Sequence, residues 1–296
     1  MVNQIIYTDG KHTKTGEKLV LRKFSTDVAK RLYMAWTNPQ AFRYNDIPEV
    51  DMNDKNEWDC VGDIADYAFP NEYGQYFFAI YRINKETGKE ELIGNCRFGK
   101  CPYKKYRDKD GVWDFGFSII REDDKLEYSD EEIKRAFMSE EEQHATGIKA
   151  LYPDTTFWGN GYITEVIATI LETARQNDVK KVVSGADIHN FGSCKAQVKS
   201  GMRLVRQENG KVDFDEDGDP EFEIDLDKNN PLIFPTKQQI DREWGLTILE
   251  LNNKLSDKEF QQNCESCRLR KLERALKRNN QRREFRELKN NLIENE

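Results

Sequence analysis

Residues Phe157 to Ile170 read FWGNGYITEVIATI and place two glycines directly before a stretch with helical periodicity. Apolar residues then recur at intervals of three and four positions, the spacing of a helix with one buried face. These residues are Ile163, Val166, Ile167, Ile170, Leu171 and Ala174. Glycine permits backbone dihedrals that other residues avoid and leaves backbone N–H groups uncovered. The first turn of a helix has unpaired N–H groups and a partial positive charge, so this start is either a phosphate site or a plain connecting turn.

The segments on either side of this turn predict a mixed α/β arrangement. Strand patterns cover 17–24, 75–83, 91–98, 112–120 and 180–188, and RLVRQ with EFEIDL forms a last hairpin. Helical patterns cover 25–38, 51–68, 163–174 and 190–202. This order predicts the class α/β (α+β), with a mixed, mostly antiparallel sheet flanked by helices. It excludes a Rossmann unit, in which the glycine loop follows the first strand, and no Walker P-loop motif is present.

Composition bounds the class of protein. A chain of 296 residues with 37% hydrophobic content can form one sizeable domain with an appendage. Its segments are too polar for a membrane span or a secretory signal, so we expect a cytoplasmic protein without a membrane partner. Six scattered cysteines indicate free thiols. Cys264 and Cys267 form a C-x-x-C, but no second pair stands at a zinc-like spacing, so we expect no metal site.

Charge is distributed unevenly along the chain. The net charge is −8, yet residues 268–289 contain ten Lys/Arg against three Glu. The body is therefore acidic and the tail basic. An acidic body argues against a general nucleic-acid groove, whereas the tail leaves a local anionic contact open.

Three segments resemble the GCN5-related N-acetyltransferase (GNAT) family, in particular its branch that acetylates the N-termini of ribosomal proteins. They are WDFGFSII at 113–120, WGNGYITE at 158–165 and NFGSCKAQVKSGM at 190–202. The resemblance extends from about Glu17 to Asp227. It implies a GNAT-like domain over 1–236, a basic helical extension over 237–296, and transfer of an acetyl group from acetyl-CoA to a primary amine.

The same resemblance implies which residues bind acetyl-CoA. In the family, the glycine turn holds the pyrophosphate through backbone N–H groups, and the strand before it offers backbone groups to the pantetheine arm. The residues that match these positions, with two from the later helix, are Phe117, Ser118, Trp158, Gly159, Asn160, Gly161, Tyr162, Ile163, Asn190 and Lys199.

Catalytic residues are implied by the helix after the next strand. Many family members place a tyrosine there to protonate the departing thiolate, and this sequence has none between Asn190 and Met202. Ser193 matches the Asn-x-x-Ser of the ribosomal branch and is the expected proton donor. The alternative is that Asn190 and Ser193 only cap a helix. Asp114 and His189 are the candidate bases, although an α-amine with a pKa near ~8 is partly neutral without one.

The segment between the central strand and the glycine turn is longer than the family requires. Residues 121–156 carry eleven Asp/Glu against five Lys/Arg, and a capping box of Ser129 with Glu132 predicts a helix inside this insert. Residues 207–228 carry ten Asp/Glu against two Lys/Arg. In the family both segments flank the acceptor opening, so the resemblance implies an acidic rim there. Such a rim favours a cationic acceptor, such as a peptide N-terminus, a polyamine or an aminoglycoside-like amine. Solvated acidic faces are the alternative.

The tail from about residue 237 has helical leucine spacing with abundant Lys and Arg. It packs on the domain, pairs two chains into a homodimer, or binds RNA, in that order of preference. A rival function follows from the last option. The chain would then be a non-catalytic protein on a GNAT scaffold that binds RNA or a protein partner through its basic tail.

Overall fold

A computed structural model describes most of the chain. The described residues are 2–36, 50–51, 54–63, 69–103, 105–106, 109–120, 128–138, 142, 145, 159–215 and 218–293. Trp158 and much of the insert 121–156 lie outside these ranges, so their predicted roles stay predictions.

The described residues form eight strands and seven helices. The strands are β1 (Ile5–Tyr7), β2 (Leu19–Lys23), β3 (Gln75–Ile83), β4 (Glu90–Lys100), β5 (Val112–Ile119), β6 (Lys181–Gly185), β7 (Arg203–Leu204) and β8 (Glu221–Asp225). The helices are α1 (Thr26–Trp36), α2 (Lys55–Asp63), α3 (Asp130–Ala136), α4 (Tyr162–Gln176), α5 (Phe191–Lys199), α6 (Lys237–Leu255) and α7 (Lys258–Ile293).

All eight strands belong to one sheet with the order β1-β2-β3-β4-β5-β6-β8-β7. Every pairing is antiparallel except that of β5 with β6, which is parallel. A parallel pair needs a crossover, and α4 lies in the connection between these two strands. The predicted fold class, a mixed and mostly antiparallel sheet with helices, is confirmed.

The chain divides into two compact units. The first comprises Met1–Phe24, Tyr67–Ile119 and Phe157–Phe260. It holds the whole sheet together with α4, α5 and α6. The second comprises Ser25–Asp66, Ile120–Thr156 and Gln261–Glu296, and it contains α1, α2, α3 and most of α7. The domain boundary expected at residue 236 stays a prediction.

The core of the first unit follows the periodicities read from the sequence. Five members of the α4 stripe are buried, namely Val166, Ile167, Ile170, Leu171 and Ala174, and Ile163 at the helix start is half-buried. On the strands, the rings of Phe78 and Phe98 stack with centroids 5.3 Å apart. Phe115 and Phe117 stack at 6.1 Å. This apolar packing fixes the positions of β5 and α4, the two elements that hold the predicted cofactor residues.

The second unit joins the insert helix to the C-terminal helix. The capping box of Ser129 and Glu132 is confirmed at the start of α3. Buried residues of the insert pack with Ala275 of α7, and the cluster consists of Tyr128, Ile133, Ala136, Phe137 and Ala275. The Asn279 side chain bonds both the N–H and the C=O of Tyr128, at 3.2 and 2.7 Å. Of the three alternatives for the tail, packing within the chain is the one that these contacts support.

Two short elements differ from the sequence prediction. β1 was not predicted, because its three residues are too few to show an alternating pattern. The strand expected over 180–188 ends at Gly185. Asp187 ends it, because its side chain accepts the N–H of His189 at 2.9 Å and its carbonyl oxygen accepts the N–H of Asn190 at 2.8 Å. This turn leads directly into α5.

Candidate active site

The glycine turn at the start of α4 has the backbone that its sequence predicts. Gly159 and Gly161 have φ angles of 74° and 85°, a region that residues with a Cβ rarely enter. Among the described residues, no side chain caps the helix at Gly161. A Cβ there would overlap the carbonyl oxygen of His12, whereas nothing lies within 4 Å of the same position on Gly159. The helix thus begins at a glycine, which brings no side chain to cap the first N–H groups, an arrangement suited to an anionic ligand.

The other turn residues are fixed by neighbours. The carbonyl oxygen of Asn160 accepts the N–H of Lys14 at 2.8 Å. Tyr162 is buried, and its hydroxyl donates a hydrogen bond to the carboxylate of Glu17. Arg82 Nη1 lies 3.4 Å from the same hydroxyl oxygen. Burial raises the pKa of Tyr162, and the nearby Glu17 carboxylate raises it further. Because its side chain is engaged, Tyr162 can offer a ligand only its backbone.

The sheet opens between β5 and β6. Their parallel pairing covers only Val112–Asp114 against Lys181–Val183, while β6 continues beside β8 as far as Gly185. In the described part of the chain, no strand pairs with this edge of β5 beyond Asp114. The Ser184 hydroxyl spans the gap and donates to the carbonyl oxygen of Phe115 at 3.1 Å. Backbone groups of the following β5 residues, including Phe117 and Ser118, therefore border an opening.

Asp114, a predicted base, is buried on β5 with two partners. Its Oδ2 accepts Arg97 Nη1 at 2.6 Å, and its Oδ1 accepts Gln75 Nε2 at 3.1 Å. Burial raises the pKa of the Asp114 carboxyl, and the Arg97 guanidinium opposes that rise. Alternation along the strand puts Gly116 on the same face, where a Cβ would lie 3.4 Å from Arg97 Nε. The buried Asp114 and the half-buried Arg97 thus form an ion pair beside the opening.

The start of α5 brings together three of the predicted residues. Asn190 is the N-cap, and its Oδ1 accepts the N–H of Ser193 at 3.1 Å. Ser193 is half-buried in the first turn. His189 precedes them and is exposed, with its Nδ1 3.8 Å from Asp187 Oδ1. Lys199 is exposed at the other end of this helix, about 9 Å further along its axis at 1.5 Å per residue. Lys199 and Ser193 therefore lie at opposite ends of α5.

A charged cluster lies at the end of β6, and none of its residues is among the predicted site residues. Glu221 pairs in register with Gly185, and its buried carboxylate contacts the ammonium of Lys105. Lys105 Nζ also lies 2.9 Å from Asp213 Oδ2. The Tyr103 hydroxyl approaches the same place, 4.0 Å from where a Cβ on Gly185 would lie. The acidic composition of 207–228 was the one signal in the sequence for this cluster.

Burial shapes the proton chemistry of the cluster. It raises the pKa of Glu221, and Lys105 opposes that rise. Burial also raises the pKa of Tyr103 to about 12, with the Asp114 charge as the next cause. Tyr103 is therefore a neutral hydroxyl at physiological pH, able to donate or accept a hydrogen bond.

The described residues offer neither a metal site nor a membrane-spanning helix. They contain no group of three or more His, Cys, Asp or Glu side chains placed to hold a metal ion. Nor does any helix described here have the length and apolarity needed to cross a membrane.

Three solved structures are reported as similar to this chain, and two of them are acetyltransferases. One is RimL, a ribosomal L7/L12 alpha-N-protein acetyltransferase in complex with coenzyme A, with 13% identity, a TM-score of 0.44, and coverage of 75% of this chain and 99% of that chain. Another is the aminoglycoside acetyltransferase AAC(6')-Ib with coenzyme A, with 11% identity, a TM-score of 0.42, and coverage of 76% and 98%. A third is a domain from Methanocaldococcus jannaschii, with 13% identity, a TM-score of 0.44, and coverage of 71% and 99%. A search of curated protein sequences finds no match.

Family profiles give the decisive comparison. The profile described as an acetyltransferase (GNAT) domain matches residues 18–203, which is more than half of the chain. The matched region contains the opening between β5 and β6, the glycine turn and the start of α5. It confirms the family that the three sequence segments resemble and makes acetyl-CoA the co-substrate. The chain belongs to the GNAT family of acetyltransferases.

Proposed function

We propose that this protein is an N-acetyltransferase that moves the acetyl group of acetyl-CoA to a primary amine of a cationic acceptor. The observation that carries the proposal is the start of α4, where the N-cap is Gly161 in a left-handed conformation and has no side chain to cap the helix. The diphosphate of acetyl-CoA binds there, and the thioester lies in the opening that begins after Asp114. In the turn, Gly159, Asn160, Tyr162 and Ile163 contribute backbone groups, and Trp158 completes the predicted set.

Acetyl transfer forms a C–N bond and breaks the C–S bond of the thioester. The amine loses one proton and the departing thiolate gains one. Ser193 is the proposed donor of the second proton. Its position in the first turn of α5, directly after the strand that borders the opening, supports this role. Asn190 holds the turn that carries Ser193 and is also proposed to contact the cofactor.

The proton of the amine has two proposed acceptors on this chain. Asp114 lies beside the opening, and its ion pair with Arg97 must loosen before its carboxylate can take a proton. His189 is exposed near Ser193 and is more accessible to a bound amine. Because an α-amine has a pKa of about 8, a fraction of the acceptor is already neutral at pH 7 and water can carry the proton away.

The preference for a cationic acceptor rests on the charges around Gly185. Among the described residues of this cluster, Glu221 and Asp213 place two carboxylates there, and both contact the ammonium of Lys105. The wider segment 207–228 carries ten Asp/Glu against two Lys/Arg. Such a surface raises the local concentration of cationic molecules. A basic peptide N-terminus, a polyamine and an aminoglycoside-like amine all fit this description.

The experiment mixes the purified protein and acetyl-CoA with a panel of amines and follows the release of free thiol. The panel contains basic peptides with free N-termini, polyamines and aminoglycosides. Matched acidic peptides and N-terminally blocked basic peptides serve as controls. We expect release above the hydrolysis rate with at least one cationic amine and none with the blocked peptides. If none of the amines causes thiol release, the proposal is refuted and a non-catalytic protein is favoured.

The rival function assigns the basic tail to RNA or protein binding. Part of this basic surface is already engaged within the second unit. Arg268 Nη1 lies 3.1 Å from Glu142 Oε2, and Arg283 Nη2 lies 3.0 Å from Asp130 Oδ1. Truncation after Asn263 distinguishes the two functions. If the truncated chain loses RNA binding but keeps its turnover, the tail recruits RNA and takes no part in catalysis. RNA binding of this kind would weaken steeply as salt rises.

A further inference from the structure

Residues 8–17, which connect β1 to β2 and are called here the N-terminal loop, lie against the start of α4. The family match begins at residue 18, so this loop is outside it. Among the described residues, the loop contacts the start of α4 in four places; one is the bond of the Tyr162 hydroxyl to Glu17, and the other three are the following. All of them are within the first unit.

The first contact is the side chain of Glu165, in the first turn of α4. This residue is only 2% exposed. Its Oε1 accepts the N–H of Gly10 at 2.7 Å, and its Oε2 accepts the N–H of His12 at 2.8 Å. Hydrogen bonds to a charged acceptor are among the stronger ones in proteins. A buried carboxylate with both oxygens on another segment's backbone fixes the distance between that segment and its own helix.

The other two contacts reach the turn itself. The N–H of Lys14 donates to the carbonyl oxygen of Asn160 at 2.8 Å. The carbonyl oxygen of His12 lies so close to Gly161 that a Cβ on this glycine would overlap it. The loop backbone therefore follows the turn over several residues and bonds to its middle residue.

The N-terminal loop has its own fixed shape. The Thr13 hydroxyl bonds the carbonyl oxygens of Gly10 and Glu17 at 2.9 and 3.0 Å. The His12 ring packs on Phe234 with centroids 4.3 Å apart. Gly10 has a φ of 76°, and a Cβ on it would lie 2.7 Å from the carbonyl oxygen of Glu17. A loop held in this way can transmit its geometry to the turn.

We propose that the N-terminal loop is a brace for the diphosphate site and that Glu165 is the positioning residue through which it acts. Two glycines around one asparagine would otherwise sample many conformations. The brace holds the N–H groups at the start of α4 in one arrangement before the cofactor arrives. Preorganisation of this kind increases affinity because less order remains to be imposed on binding. The inference rests on the proposed function, since it assigns the diphosphate to this turn.

The test compares Glu165→Gln with Glu172→Gln, the same change on the same helix. Glu172 pairs locally with Arg175 and has no contact with the loop among those described. In Glu165→Gln, an amide group faces one of the two backbone N–H groups and leaves it unpaired. We expect calorimetry to show that its CoA affinity falls about tenfold or more. Binding of pantetheine, which lacks the diphosphate, is measured by ligand-observed NMR and stays within about twofold.

Three results would overturn the brace. They are an unchanged CoA affinity in Glu165→Gln, an equal loss for CoA and pantetheine, and an equal loss in Glu172→Gln. Amide hydrogen exchange on the unmodified protein gives a second test that does not depend on how the variant folds. CoA should slow exchange at Gly10 and His12, and unchanged exchange at both would also refute the proposal. If the unmodified protein binds no CoA, the proposed function itself fails. If it binds CoA and Glu165→Gln binds equally, only the brace fails.

Discussion

The two helices that flank β6 in the chain, α4 and α5, begin in opposite ways. At α4 the N-cap is Gly161, in a left-handed conformation and without a capping side chain. At α5 the N-cap is Asn190, whose side chain accepts a backbone N–H of the first turn. A capped start satisfies its own N–H groups, and an uncapped one needs another partner. The contrast teaches that a missing cap next to a well-fixed turn is a sign of a ligand site.

The start of α4 is also held differently from the start of α5. Two carboxylates hold it: Glu17, from the N-terminal loop, accepts the Tyr162 hydroxyl, and Glu165 of the helix itself bonds the backbone of that loop. The start of α5 is held by a neutral amide within its own turn. The stability of the start of α4 should therefore depend on pH and on mutations in the N-terminal loop. That of the start of α5 should depend on substitutions within its own turn.

The largest expected effect is that of Ser193→Ala. This substitution tests whether the start of α5 takes part in catalysis or is only a helix cap. Ser193→Ala should lower kcat by roughly 10² to 10⁴, the range typical of general acids, with the KM for acetyl-CoA nearly unchanged. Steady-state kinetics with an accepted amine measures both constants. Ser200→Ala is the matched control, since Ser200 directly follows α5 and, among the contacts described, its hydroxyl donates only to the carbonyl oxygen of Ala196. An unchanged kcat in Ser193→Ala would leave the start of α5 with a capping role alone.

The next effect tests whether the uncapped start of α4 binds the diphosphate. Gly161→Val should weaken CoA binding by at least about tenfold, or 1.4 kcal/mol, because the side chain is strained at this φ and overlaps the loop backbone. Gly159→Val has a similarly unfavourable φ, but no atom of the described residues lies within 4 Å of its Cβ position, so its loss should be smaller. Calorimetry with CoA gives both values. Equal affinity of a folded Gly161→Val and the unmodified protein would remove the diphosphate from this turn.

A smaller effect separates the two roles assigned to Asn190. Asn190→Ala should lower the free energy of unfolding by about 1 kcal/mol through loss of the cap, and Asn190→Asp should retain most of it. Urea denaturation measures the difference. A loss of CoA affinity that both variants share would show that the amide group contacts the cofactor. A loss seen only in the alanine variant would assign Asn190 to the cap alone.

The smallest effect concerns acid. Burial raises the pKa of Glu17, but hydrogen bonds from Tyr162 and Thr15, with the Arg82 charge, bring it below the ordinary value of 4.5. Its ionised form therefore stabilises the fold above pH 4.5, and this contribution is lost as the pH falls from there through the folded-state pKa. The unfolding free energy of Glu17→Gln should approach that of the unmodified protein over this window. The loss of unfolding free energy caused by Asn190→Ala should stay constant over the same pH window. If this loss and that of Glu17→Gln change with pH in the same way, the starts of α4 and α5 do not differ in their response to acid.

Local patterns in the sequence predicted most of the fold, and the place that they predict for the cofactor site stays a prediction. Helical spacing identified α4, alternation identified β3 to β5, and the glycines at 159 and 161 identified the turn. These signals lie within short windows, where one residue's conformation depends on its neighbours. The family resemblance then supplied roles for Ser193 and Asn190, which the structure brings together at one helix start.

Contacts between distant segments could not be predicted in this way. The bonds from Glu165 to Gly10 and His12 join residues more than 150 positions apart, and Lys105 reaches Asp213 over 108 positions. A single sequence has no periodicity that pairs such residues. Asp114 shows the same limit, because nothing near it in the sequence indicates that Arg97 and Gln75 bind its carboxylate.

The contact of Asn279 with Tyr128 has a consequence for synthesis of the protein. The two residues are 151 positions apart, so the insert helix leaves the ribosome long before its partner on α7. At 5–20 residues per second, the delay is roughly 8 to 30 s. During that interval Ile133 and Phe137 lack Ala275, which covers them in the finished protein. Nascent chains that stall within this stretch should therefore be targets for chaperones that recognise exposed apolar segments.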